Sequence, residues 1–439
     1  MEILVKAAQF FLALSILIIL HELGHFFFAR LFNTRVEKFY LFFNPWFTLF
    51  RIKRGDTEFG LGWLPLGGYV KISGMIDESM DKEQLKRDPQ PWEFRSKPAW
   101  QRLLIMLGGV MVNFVLALVI YASMLYAWGE RYLPAENLTW GIHADSLARD
   151  MGLKHGDVIV SLDNKPVDQY FQIVPAIVLD NVRTIQVKRD GEIAEVTVPG
   201  DLIPKLLAGT PFVDIRIPFI VRDFSDNSPA RDAGIRQGDR ITGLNGEHLP
   251  YFLEFREQLI ANRSNDVIVS VERDGMPLEI PLTVNEEGLM GVMPEGELTR
   301  FFDLKTTEYT FIEAIPAGIT KGLATFSSYL KQLRLIFSPG TGAYRSLGGF
   351  ITIGSIFPGV WDWQAFWGMT AFLSIVLAIM NVLPIPALDG GHVMFLLYEM
   401  VSGRKPSEKF MEYAQLTGML LLLSLILYAN GNDIVRWLR

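Results

Sequence analysis

From Ile3 to Leu31 the chain is almost continuously apolar, yet His21, Glu22 and His25 sit inside that run. A stretch of this length can enter a bilayer as one helix, where ionisable side chains are costly and need a reason. Their pattern is H-E-x-x-H. On a helix, positions i and i+4 share a face, so both imidazoles can bind one Zn²⁺ with Glu22 beside them as general base. A polar helix end at the membrane surface is the plainer alternative, but it leaves this combination unexplained in a chain with only six histidines. There is no cysteine, which removes disulfides, thiol catalysis and thiolate ligands. Any metal must then rest on His, Asp or Glu.

Four segments are long and apolar enough to cross a membrane: about Leu4 to Phe28, Leu103 to Trp128, Ala365 to Leu383, and Leu416 to Ala429. Half of the 439 residues are hydrophobic and 20% are charged, which suits a mixed membrane and soluble protein. The net charge of -7 gives no support to nucleic-acid binding. No small-x-small cleavage site follows the first apolar run, so it reads as a retained span and not a signal peptide. Basic residues crowd the loop after span one, from Arg30 to Arg102, and recur at Arg404, Lys405 and Lys409. Both loops should therefore be cytoplasmic, with His21 and His25 at the cytoplasmic end of span one and Gly129 to about Trp363 outside.

Between spans one and two, Glu58 to Ile72 reads as short strands broken by Gly and Pro turns. A hairpin dipping into the membrane edge fits its apolar character, and a free strand edge could pair with an unwound substrate segment. An ordinary surface hairpin accounts for the stretch equally well. The charged segment from Asp77 to Lys97 reads as a surface loop or short helix. In span two, Gly108, Gly109 and Asn113 suit close helix packing and one hydrogen bond across the bundle.

The outer segment holds an internal repeat. Ser146 to Ile159 lines up with Ser228 to Ile241, and each copy runs on into a strand and turn. The A-x-x-A-G-[LI]-x-x-G-D-x-I pattern, with Met151 in place of its second Ala in the first copy, resembles bacterial PDZ domains, so two tandem modules are expected. His143, His155 and His248 fall in them and read as surface residues. From Phe311 to Ile336, apolar residues recur at 311, 315, 319, 323, 326, 330 and 333, the spacing of an amphipathic helix that could lie on the outer membrane face. The Gly-rich stretch from Leu347 to Gly359 reads as a loop or re-entrant segment.

The third span ends in Asn381-Val382-Leu383-Pro384-Ile385-Pro386-Ala387-Leu388-Asp389-Gly390-Gly391-His392. Two prolines two apart cannot continue a helix, and unwound backbone at membrane depth survives only where protein or a wet cavity satisfies it. The inferred topology puts this end on the side of His25, which makes Asp389 a candidate third ligand. His392 is a competing donor that a turn at Gly390-Gly391 would leave beside the site.

These motifs together resemble the site-2 protease family of intramembrane zinc metalloproteases, most closely its bacterial regulator-of-sigma-E branch. H-E-L-G-H in span one, N-x-x-P-x-P-x-L-D-G-G after span three and PDZ modules between spans two and three carry the resemblance over essentially the whole chain. The resemblance implies a polytopic α-helical membrane protein with about four transmembrane helices, a membrane-reentrant β-hairpin and two extracytoplasmic α+β PDZ domains. The corresponding divisions are 1–128, 129–213, 214–297, 298–364 and 365–439. It implies that His21, His25 and Asp389 hold Zn²⁺, that Glu22 is catalytic, and that Asn381, Pro384 and Pro386 help hold an extended substrate. Gly67, Gly68 and Asn113 are carried over as further substrate-contacting candidates. Val110 stands where the family's G-P-x-x-N motif has proline, and Gly349-Phe350 where many relatives show Gly-Pro.

The same resemblance implies a place in the bacterial inner membrane, with the active site toward the cytoplasm and the PDZ pair in the periplasm. Substrates would be single-span membrane proteins, such as an anti-sigma factor already trimmed by an upstream site-1 protease, or remnant signal peptides. Two rival readings are a membrane-anchored tandem PDZ scaffold with a degenerate metal site, and a zinc transporter.

Overall fold

Helix α1 (Glu2–Leu31) carries the H-E-x-x-H motif through one uninterrupted 30-residue helix, long enough to span a bilayer with turns to spare. In this computed structural model, which describes residues 1–65, 67–75 and 88–438, α1 belongs to a helical unit. The unit comprises Met1–Gly129, Glu308–Arg334 and Tyr344–Arg439. Its other helices are α2 (Ala99–Trp128), α3 (Phe311–Ile336), α4 (Phe350–Ser355), α5 (Trp363–Val382), α6 (Asp389–Ser402) and α7 (Glu408–Trp437). Among the described residues, α1, α2, α5 and α7 are long and apolar enough to cross a membrane.

Helix α2 is the hub, packing against α1, α5 and α6. Gly24 of α1 meets Gly108 of α2 so closely that a Cβ on Gly24 would lie 2.2 Å from the Gly108 carbonyl oxygen. Ala117, Ile120 and Tyr121 of α2 form one core with Ala371, Ile375 and Ile379 of α5. The Ser374 hydroxyl donates to the Asn113 carbonyl at 2.7 Å. Helix α7 is tied at one end, where Asp433 accepts from the backbone of Gly349 and Thr352 at the start of α4.

Helix α3 departs from the expected surface position. Phe311 packs on Tyr126 and Phe326 on Phe114, with ring centroids 5.9 and 5.6 Å apart, so α3 runs antiparallel alongside span two. The cause is a second face, Ala314, Gly318 and Gly322, whose small side chains let α3 close on Leu118 and Ala122. Much of the expected apolar stripe, Ile315, Ile319, Leu323 and Leu330, points away from the protein.

Residues 58–72 do not form a hairpin of their own. Strands β1 (Val36–Leu41), β2 (Phe50–Arg54), β3 (Thr57–Leu61) and β4 (Tyr69–Ile72) make one sheet in the order β2-β3-β1-β4. Strand β1 inserts between β3 and β4, parallel to the first and antiparallel to the second. Phe26 of α1 packs its ring against Phe39 of β1 and Phe59 of β3, which fastens the sheet to the motif helix. Strand β4 lies at the sheet edge. Residues 76–87, within the charged segment expected from Asp77, lie outside the described residues; Phe94–Ser96 forms a single 3-10 turn.

The second unit, Glu130–Thr307 with Leu335–Ala343, holds the repeat. Each copy builds the same ion pair. Asp157 accepts from Arg189 and from the Lys154 backbone N–H, and Asp239 accepts from Arg273 and from the Arg236 backbone N–H. Each arginine also donates to a glycine carbonyl, Gly152 or Gly234. One apolar core spans Leu133 to Ile215 and a second Phe219 to Met290. The expected 298–364 connector is divided. Phe302 is buried in the first core, and strand Lys305–Thr307 pairs with strand Glu130–Tyr132, because chain entry and exit satisfy each other's backbone.

Candidate metal centre

His21 and His25 lie one helical turn apart on the buried face of α1, and the geometry around them is that of a ligand set. The Nε2 atoms are 3.2 Å from each other. Asp389 Oδ2 is 3.2 Å from His21 Nε2 and 3.3 Å from His25 Nε2. Zinc bonds of about 2.0–2.1 Å in a tetrahedral shell hold their ligands roughly 3.3 Å apart, so these three atoms match three corners and leave the fourth open. Asp389 Oδ2 is buried without any hydrogen-bond donor, an orphaned anion unless a cation faces it. The donor set is two imidazoles and a carboxylate, which suits Zn²⁺.

Each ligand is aimed by its neighbours. His25 Nδ1–H donates to the Ile105 carbonyl at 2.8 Å, which turns Nε2 toward the centre. Asn113 is fully buried, its amide 3.2 Å from His21 Nδ1. The Asn113 Oδ1 has no partner, and exchanging amide N and O lets it accept from His21 Nδ1–H. Gly109 makes room for both rings: a Cβ there would fall 2.5 Å from His25 Nε2 and 2.6 Å from His21 Cε1.

The third donor arrives on a broken helix. Helix α5 stops at Val382, Pro384 and Pro386 keep the backbone from resuming, and Ala387 takes a left-handed φ of 86°. A non-glycine residue in that region costs about 1–3 kcal/mol and persists only where its surroundings impose it. The turn expected at Gly390-Gly391 is instead the first turn of α6, which starts at Asp389. A carboxylate in the first turn is favoured by the helix dipole, and the break re-aims it at α1.

A cavity of about 470 Å³ opens beside the three donors and is lined by Glu22, Gly68, Tyr69, Lys71, Asp389 and His392 among others. Strand β4 therefore forms one wall. Gly68 reaches α1 so closely that a Cβ would lie 2.7 Å from Ile18 Cγ2. Gly67, just before it, sits against the Phe43 ring.

The other candidates divide. The Asn381 amide lies 3.3 Å from His21 Nε2, beside the gathered donor atoms and not along β4. Asn113 is packed behind His21, off the cavity. Pro386 lines a neighbouring cavity of about 320 Å³ together with His392, and Pro384 is exposed in the helix break. His392 borders both cavities, while the donors gathered with His21 and His25 among the described residues come from Asp389. Sequence reasoning missed Ile105. It read Gly109 as helix packing and as the first glycine of the family's G-P-x-x-N motif, not as the space both imidazole rings need.

A buried two-histidine, one-carboxylate centre with an adjacent glutamate, set in a bundle of membrane-length helices, defines a metallohydrolase working at membrane depth. The chain belongs to peptidase family M50, whose model matches residues 9–425. It is 29% identical over 457 residues to the regulator of sigma E protease of Haemophilus influenzae, covering 99% of this chain and 100% of the other. It is 28% identical over 461 residues to protease RseP of Yersinia pestis, with the same coverage. The protein is an intramembrane zinc metalloprotease of the site-2 type. This membership removes the scaffold and transporter readings as primary functions.

Proposed function

We propose that the protein hydrolyses a peptide bond within the transmembrane segment of single-span membrane proteins. The observation that carries this reading is the triangle of His21, His25 and Asp389 donor atoms beside a cavity walled by Glu22 and strand β4. Bound Zn²⁺ would supply Lewis acidity and an activated water at neutral pH. Glu22, in the same cavity, is the side chain that would accept a proton from an attacking water and pass it to the leaving amine. Ile105 and Asn113 hold the His25 and His21 rings in position from behind.

A peptide bond inside a helix is hydrogen-bonded and inaccessible, so the substrate must unwind locally. The edge of β4 along Tyr69–Ile72 offers it replacement backbone partners, in line with a membrane-reentrant role for this sheet. Asn381 contacts the scissile region from the opposite side. The duplicated modules act as PDZ domains in the periplasm and exclude substrates still carrying a bulky outer domain. The metal site faces the cytoplasmic half of the bacterial inner membrane, a side the basic loops favour. An anti-sigma factor trimmed by an upstream site-1 protease, or a remnant signal peptide, fits these demands.

Purified protein mixed with single-span reporters tests the reading. Cleavage within the span of a reporter lacking its outer domain, and abolition by a zinc chelator, is the expected result. A chelator-insensitive cut, or one confined to loops outside the span, overturns it.

A further inference from the structure

Two histidines of the second unit are less exposed than their sequence context suggests. His143, on strand Ile142–Ala144, is 2% exposed. His155 lies in the loop after helix Ser146–Asp150, its ring centroid 4.6 Å from that of His143. Across the seam, the second module presents Glu254 and Glu257, three apart and so on one face of helix Phe252–Ala261. Glu257 Oε1 is 3.4 Å from His143 Nε2, and Glu254 Oε1 is 3.6 Å from His155 Nδ1. Donor atoms of His143, His155 and Glu254 all lie within 4.8 Å of one another, and His143 forms a second such group with Asp145 and Glu257. His143 Nδ1 is buried with no hydrogen-bond partner, which a structural histidine would normally find.

We propose that this seam is a second divalent-metal site, of the zinc class, held by His143, His155 and Glu254 and completed by Glu257, which clamps the two modules together. Nitrogen and oxygen donors without thiolate suit zinc and its neighbours in the transition series. Arg216 grips both oxygens of Glu254, at 2.5 and 3.0 Å. Each carboxylate oxygen keeps a second lone pair, so Arg216 orients the ligand without exhausting it.

Arg149 is the built-in competitor. Its Nη1 donates to the Ala144 carbonyl at 3.0 Å and lies 3.2 Å from both His155 Nε2 and Glu257 Oε2. A single positive charge thus occupies part of the space a metal ion needs. The Arg149 side chain is 39% exposed and can leave for water when a doubly charged ion replaces it. Without metal the same residues would hold the seam as an arginine-glutamate clamp.

Zinc per chain in the full-length protein, after equilibration with zinc and dialysis, tests the site. Two equivalents are expected. His155→Ala should lose one, Asp389→Ala should lose the other, and the double variant should retain none. Because His143→Ala could disturb the first core, Glu254→Gln serves as the second variant and should also lose one equivalent. Arg149→Ala should bind the second zinc more tightly, a gain that a purely structural clamp would not produce. A single equivalent in the parent protein, or two retained by both His155→Ala and Glu254→Gln, overturns the proposal.

Discussion

His25 donates its Nδ1–H to the carbonyl of Ile105 at 2.8 Å, and this one bond decides which nitrogen faces Asp389. The imidazole is thereby fixed with Nε2 inward, 3.3 Å from the carboxylate oxygen. Span two thus does more than pack: its backbone sets the tautomer of a ligand on span one. Several experimental consequences depend on this arrangement.

Glu22 lines the cavity but is not among the donor atoms grouped with His21 and His25. Glu22→Gln should abolish peptide hydrolysis while the purified protein keeps its zinc at the membrane site. Cleavage at near-parental rate by the metal-loaded variant would show that some other group carries the proton.

Asp389→Ala should lose both the membrane-site zinc and activity, since among the described residues no other carboxylate is grouped with the two histidines. His392→Ala, altering a residue that borders the cavity, should keep most of its zinc. Metal content of the two purified variants decides between them, and the reverse outcome would make His392 the ligand.

Asn113 was carried over as a substrate contact, yet it is buried against His21. Asn113→Leu should therefore weaken zinc retention by ~10–100-fold, the usual cost of losing a hydrogen bond behind a metal ligand. Chelator competition measures this without any substrate. Unchanged zinc affinity combined with a raised KM would return Asn113 to the substrate side.

The Asp239–Arg273 pair gives the second module an acid sensitivity. Burial by itself would raise the Asp239 pKa, but hydrogen bonds from Arg273 and the Arg236 backbone outweigh it and hold the carboxyl below its ordinary value. A depressed folded-state pKa contributes stability that is present above the unfolded value, near 3.9, and is lost as pH falls through the folded one. Arg273→Ala should raise the pH at which the second module unfolds on acidification, followed by the fluorescence or exchange protection of residues 219–294. An unchanged acid midpoint would mean that the pair contributes nothing to the linkage.

Much of this protein follows from local sequence. The i, i+4 spacing of His21 and His25 needs only a helix to bring them to one face, and unbroken apolar runs dictate that helix wherever backbone must satisfy itself. The Pro384 and Pro386 pair dictates a break by removing two amide donors. The glycine-aspartate repeats at Gly156-Asp157 and Gly238-Asp239 mark matching turns because each aspartate accepts from a backbone amide three residues before it.

Tertiary packing decided the rest, since no local rule chooses a partner distant in the chain. Strand β1 entered between β3 and β4 because Phe39 and Phe59 both pack on Phe26, a choice that strand spacing alone does not encode. The apolar spacing of α3 argues for a surface helix, but Gly318 and Gly322 draw it along span two, where close backbone approach outweighs the apolar stripe. The decisive case is Asp389. Its identity was plain in the sequence, but only the packing of α5 and α6 around α2 could bring its Oδ2 within 3.3 Å of both histidines, and only that closeness makes three ordinary side chains a metal site.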